Sequence, residues 1–138
     1  ILGTLKDPWY YSNYQKKIYQ LGSGLYGLSN ELLDSPWPKV SKGKSALADL
    51  FMADGLNVNQ LFEQMLNREE APVDNLPDTG IGLTKEKALS PMFIKTKDYG
   101  TRCSTLITLD NTGKLYFEER TYHPDQTGAN TVAFDLTI

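Results

Sequence analysis

The chain has 138 residues, 40% of them apolar and 11% aromatic, a composition that supports one packed core and argues against a disordered polymer. Its formal charge is −3, with 14 basic side chains scattered among 17 acidic ones, which speaks against a nucleic-acid partner because phosphates are met by clustered Lys and Arg. One cysteine and one histidine exclude an internal disulfide and a Cys/His metal cluster, so no metal and no cofactor is expected. No apolar run approaches the roughly 20 residues of a transmembrane helix.

No signal-peptide pattern opens the chain, which leaves the cytoplasm as the expected compartment. Ile1, Leu2, Gly3 and Thr4 lack both a methionine and a polar lead-in and read as the interior of a longer protein, a fragment or a processed chain. Ile1 has no hydroxyl or thiol beside its amine, so it is not an N-terminal nucleophile. Aromatic and aliphatic runs at residues 9–13, 17–21 and 25–29, separated by polar residues and by Gly22 and Gly24, predict a three-stranded meander.

Pro36 and Pro38 then stop extended pairing and lead into a helix from Pro38 or Val40, with Ala46, Leu47, Leu50 and Phe51 on one face and Gly55 as its stop. Asn57 suits an N-cap with Gln60 in the capping-box position. Val58, Leu61, Phe62, Met65 and Leu66 follow it at the i, i+3, i+4, i+7, i+8 spacing of a second amphipathic helix. Residues 71–91, rich in Pro and Gly, predict a loop of roughly 20 residues, long enough to be a lid, a binding loop or a linker. Alternation at residues 104–109 and 115–120, with Asp110, Asn111, Thr112 and Gly113 between them, predicts a hairpin, and Val132, Phe134, Leu136 and Ile138 a last strand. Strands, two helices and strands again make an α+β domain of antiparallel sheets, one domain over residues 1–138.

Three polar side chains are candidate site residues. Arg102, before a strand of small and apolar neighbours, offers either planar recognition of a carboxylate or a plain structural ion pair. Asn30, ahead of Pro36 and the first helix, either directs an amide N–H at a developing oxyanion or forms a turn. Asn13 has the same two readings, the turn of a hairpin explaining it at least as well. Cys103 reads as a small buried strand residue on the face opposite Arg102, without a base to activate it. Asn67, Arg68, Glu69 and Glu70 read as a solvated helix end. Glu118 and Glu119 alternate on a strand and point to opposite faces, so they do not share a proton. Trp9, Tyr10, Tyr11, Tyr19 and Tyr26, without accompanying positive charge, read as sheet packing.

Four segments carry a resemblance: Gly27-Leu28-Ser29-Asn30, Asp34-Ser35-Pro36-Trp37-Pro38-Lys39, Tyr99-Gly100-Thr101-Arg102 with Ser104-Thr105, and Phe117-Glu118-Glu119-Arg120. Together they resemble the C-terminal half of the NRDE family, which includes the transport and Golgi organisation 2 proteins, with residues 71–91 matching least. The family is similar to N-terminal-nucleophile hydrolases. That resemblance implies part of an αββα sandwich, with the nucleophilic cysteine and the Asn-Arg-Asp-Glu run on a segment these residues lack. The Ser29-Asn30 to Pro36 junction resembles the Thr-Asn-x-Pro junction of the choloylglycine-hydrolase branch, where the asparagine lies close to the nucleophile. By this resemblance the intact protein cleaves a linear, non-peptide amide, with Asn30 and Asn13 in supporting roles and Arg102 ordering the nucleophile's surroundings in a cleft shared with Asn30. The alternative it implies is a carrier of haem, acyl-CoA or another lipid-related ligand. The partners implied are that small molecule and the missing N-terminal half.

Overall fold

A computed structural model describes all residues except Leu5, Asp54, Gly55, Pro124 and Gln126. The element order is β1 (Leu2–Thr4), β2 (Asp7–Ser12), β3 (Lys17–Gln20), α1 (Pro38–Met52), α2 (Val58–Met65), a 3₁₀ turn (Val73–Asn75), α3 (Leu83–Ala88), β4 (Cys103–Leu109), β5 (Lys114–Tyr122) and β6 (Ala129–Thr137). Two antiparallel three-stranded sheets result, β1-β2-β3 and β4-β5-β6, so the fold is α+β.

The hairpins form where turn chemistry meets alternation. Asp110 Oδ1 accepts from the Thr112 N–H at 2.7 Å and the Lys114 N–H at 3.0 Å, and Gly113 takes φ +85°, a backbone open to glycine at no steric cost. The resulting register pairs Ile107 with Phe117 and Phe117 with Phe134. In the first sheet, Ser12 Oγ accepts from the Gln15 N–H and Lys16 sits at φ 53°, closing the β2–β3 turn that carries Asn13.

Pro38 occupies the first turn of α1, where its missing N–H costs nothing. Asn57 caps α2 as expected, its Oδ1 accepting from the Asn59 N–H at 2.8 Å and the Gln60 N–H at 3.4 Å. Leu61 and Phe62 are buried from α2 and Val40 from α1. Phe62 and Phe93 are the largest fully buried side chains, each contributing on the order of 2–3 kcal/mol by leaving water. Phe93 meets the Tyr122 ring edge-on at 4.7 Å, and the Arg120 guanidinium lies 3.8 Å from the Phe62 centroid.

Several expectations need correction. Residues 25–29 are not a strand, because the Gly27 N–H donates to Asp34 Oδ1 at 2.8 Å and the Asp34 N–H donates to the Gly27 carbonyl at 2.7 Å. Those bonds close a loop and consume groups a sheet ladder would need. The third strand is β1 instead. The expected loop at residues 71–91 contains the 3₁₀ turn and α3, whose buried Glu86 accepts from the Thr79 N–H and hydroxyl at 2.8 and 2.5 Å. Phe51 is 53% exposed rather than on the packed face of α1. The expected helix stop at Gly55 lies outside the described residues. Cys103 is exposed, not buried, because β4 turns Ser104 inward and leaves Cys103 on the open side.

Candidate functional site

Two clefts hold the polar side chains singled out above. The larger, about 930 Å³, opens where the β2–β3 turn faces the segment before α1, and Asn13 and Asn30 both line it. Tyr10 anchors one side: its ring is buried and stacks on Tyr19 at 6.3 Å, and its hydroxyl accepts from the Leu33 N–H at 3.2 Å. That bond ties the first sheet to the segment carrying Asn30. Trp37, just ahead of α1, and Pro77, Asp78 and Thr79 complete the wall. The connection over residues 71–91 is thus part of the cleft, held there by the grip of Glu86 on Thr79.

Among the described residues, neither the Asn13 nor the Asn30 side chain has a hydrogen-bond partner, and both are exposed. Their amides are therefore free to donate to a ligand oxygen or accept from a ligand N–H. A smaller recess of about 70 Å³ continues from Asn30 and Trp37 toward Lys39 and Glu86. Burial pushes the Lys39 ammonium below the usual lysine pKa, and its Nζ donates to the Leu89 carbonyl at 2.6 Å.

Arg102 lies elsewhere. It lines a second cleft of about 620 Å³ at the head of the second sheet, with Lys95, Lys97, Tyr99 and His123. Asn30 does not line that cleft, and Arg102 does not line the first. The structure brings Asn13 and Asn30 together and sets Arg102 apart, against the expectation of one shared cleft. The Arg102 carbonyl accepts from the Tyr122 N–H at 2.8 Å, which ties the residue to the end of β5 and so to the head of the second sheet.

The half-buried arginine is Arg120, which sequence reasoning missed. Its Nε donates to Glu118 Oε1 at 2.7 Å and its Nη2 to Asn59 Oδ1 at 2.9 Å, while the Tyr116 hydroxyl donates to Glu118 Oε2. Tyr116 and then Arg120 hold the Glu118 carboxyl below its usual range. The signal was available, since Tyr116, Glu118 and Arg120 recur every second residue along β5 and so share a face. As expected, Glu119 lies on the opposite face, accepting from the Thr105 hydroxyl at 3.0 Å. Beyond α2, Glu69 and Glu70 pair with Lys42 and Lys87, and Arg68 lies 4.9 Å from the Phe93 centroid.

Among the described residues no group of three or more His, Cys, Asp or Glu is placed to hold a metal ion. Nor is any helix among them long and apolar enough to cross a membrane.

Comparison with known proteins gives a consistent assignment. The sequence profile of the family described as Transport and Golgi organisation 2 matches residues 1–124. The chain is 33% identical over 130 residues to the Transport and Golgi organization 2 homolog of Mus musculus, covering 84% of the chain and 46% of that protein. The Homo sapiens homolog is 34% identical over 130 residues, 86% of the chain and 46% of the relative. For the Bos taurus homolog the figures are 34% over 125 residues, 80% and 44%. The chain thus spans somewhat less than half the length of the curated relatives it matches.

Proposed function

Because the chain belongs to the Transport and Golgi organisation 2 family, we propose that it supplies the substrate cleft of a hydrolase acting on linear, non-peptide amides. The attacking cysteine comes from polypeptide outside these 138 residues. The observation that carries this reading is the convergence of Asn13 and Asn30, two amides without protein partners among the described residues, on one cleft walled by Tyr10 and Trp37. An amide carbonyl under nucleophilic attack gathers negative charge on its oxygen, and a positioned N–H₂ donor stabilises that charge more than it stabilises the starting carbonyl. Asn30 takes that role, and Asn13 accepts or donates at the neighbouring polar group. Arg102 takes no part in the step, since it lines another cleft.

The second sheet adds support for a sandwich completed from outside. Its outer face carries Ile107, Phe117, Val132, Phe134 and Leu136, with Ile107 62% and Phe134 54% exposed. An apolar sheet face of this kind suits a second sheet packed about 10 Å away.

The test uses the full-length protein and a series of N-acyl amines. Asn30→Ala should lower kcat by about 10²–10³ with KM little changed, the signature of a lost oxyanion donor. Unaltered turnover in that variant would remove Asn30 from the reaction. Absence of turnover in the wild type, with saturable binding of the same amides, would leave the cleft as a carrier site for a lipid-related ligand.

A further inference from the structure

We propose that the cleft around Arg102 is an anion site whose ligand is a small organic molecule bearing phosphate or carboxylate groups. It is separate from the Asn13 and Asn30 cleft and does not depend on the hydrolase reading.

The argument starts from charge. The whole chain carries −3, yet Lys95, Lys97 and Arg102 line this cleft against Asp98, so three positive charges face one negative and two remain in excess. Among the described residues, the ion pairs are Lys42–Glu69, Lys44–Asp34, Lys87–Glu70 and Arg120–Glu118, and none uses these three cations. Among the described residues, Lys95 Nζ donates only to the Asp125 carbonyl, at 3.3 Å. Asp125 itself does not line the cleft, and its carboxylate accepts from the Thr127 N–H at 3.1 Å.

The backbone beneath the cations is held rigidly. Lys95 and Gly100 form an antiparallel bridge, the Thr96 N–H and hydroxyl both donate to the Tyr99 carbonyl at 2.8 Å, and the Tyr99 N–H donates to the Thr96 hydroxyl at 3.1 Å. The Thr101 N–H closes the loop on the Ile94 carbonyl at 2.9 Å. At the opposite wall the Tyr122 N–H donates to the Arg102 carbonyl at 2.8 Å and the His123 N–H to the Gly128 carbonyl at 3.0 Å. A short, bonded hairpin and the ends of two strands therefore fix the backbone from which the three basic side chains extend, so the cleft needs only side-chain ordering to take a ligand.

Chemistry and size set the ligand class. A guanidinium offers paired donors matched to two oxygens of a phosphate or carboxylate, and two lysines add point charges. A volume of about 620 Å³ is in the range of small-molecule sites and exceeds a single inorganic anion. Tyr99 is 64% exposed, and its ring offers a face for the organic body.

Isothermal titration of the full-length protein with pyrophosphate, adenosine diphosphate and citrate tests this. At least one should bind saturably at one site, more weakly as salt rises, and at least about tenfold more weakly to Arg102→Gln, as expected for a lost charge-assisted pair. Lys42→Gln, on a remote ion pair, should bind as the wild type. Preference for the phosphates identifies a phosphorylated ligand, and preference for citrate a carboxylate. No saturable binding at millimolar probe, or affinity indifferent to Arg102→Gln in a variant of native circular dichroism, overturns the proposal. Either outcome leaves amide turnover, measured separately, untouched.

Discussion

The two faces of the β4-β5-β6 sheet are built the wrong way round for a lone sheet in water. The face turned to α2 is polar at its centre, with Ser104 and Glu118 buried, Arg120 bridging Glu118 to Asn59, and the Tyr122 hydroxyl donating to Ser104 Oγ at 3.0 Å. The opposite face is apolar and open, with Val132, Phe134 and Leu136 each more than half exposed. Polar groups are affordable under cover only because each finds a partner. Apolar ones are left in the open only at a cost.

The difference between the faces can be broken most sharply at Phe134. If a second sheet covers the open face in the full-length protein, Phe134→Ala there should cost about 3–5 kcal/mol in urea denaturation, as for any packed phenylalanine. A loss under about 0.5 kcal/mol, the ordinary value for surface substitutions, would show the face bare and end the sandwich reading. On the covered face, Arg120→Ala should cost about 2–3 kcal/mol. This is below the roughly 3–5 typical of fully buried pairs, because the Arg120 side chain keeps 24% of its exposure while that of Glu118 keeps 7%. The helix that covers this face offers a milder test: Asn57→Ala should lose about 1 kcal/mol by freeing the N–H groups its side chain caps.

The smallest expected effect is a pH dependence. Tyr116 and Arg120 hold Glu118 below its usual carboxylate pKa, and Lys44, followed by the Gly27 N–H, does the same for Asp34. A depressed folded-state pKa means that the unfolded chain binds the proton first. The stabilisation is therefore present above the ordinary carboxylate range and is lost as pH falls through the folded values. Acid titration of stability should be shallower in Glu118→Gln than in the wild type, and an unchanged slope would show that Glu118 is not linked to folding.

How much of this was legible in the sequence varied with the range of the interactions involved. The β4–β5 hairpin, its turn at Asp110 to Gly113 and the capped start of α2 follow from alternation, a glycine at positive φ and one asparagine, all within a few residues of one another. Residues 25–29 have the composition of a strand, but a carboxylate seven residues on at Asp34 captures Gly27 first. α3 hides among Pro and Gly because its anchor is the buried contact of Glu86 with Thr79. Of the candidate site, Asn13 and Asn30 were both visible, and their common cleft was not, since it depends on Tyr10 reaching the backbone of Leu33.

Sequence alone determined the α+β class, the family, most element positions and the residue types that carry chemistry, because these rest on local periodicity, turn geometry and motifs contiguous in the chain. Tertiary structure alone decided which arginine is half-buried, which asparagines meet, where the cations collect and which sheet face stays bare. Those properties arise between segments far apart in the chain, where packing and hydrogen-bond satisfaction override what any short stretch prefers.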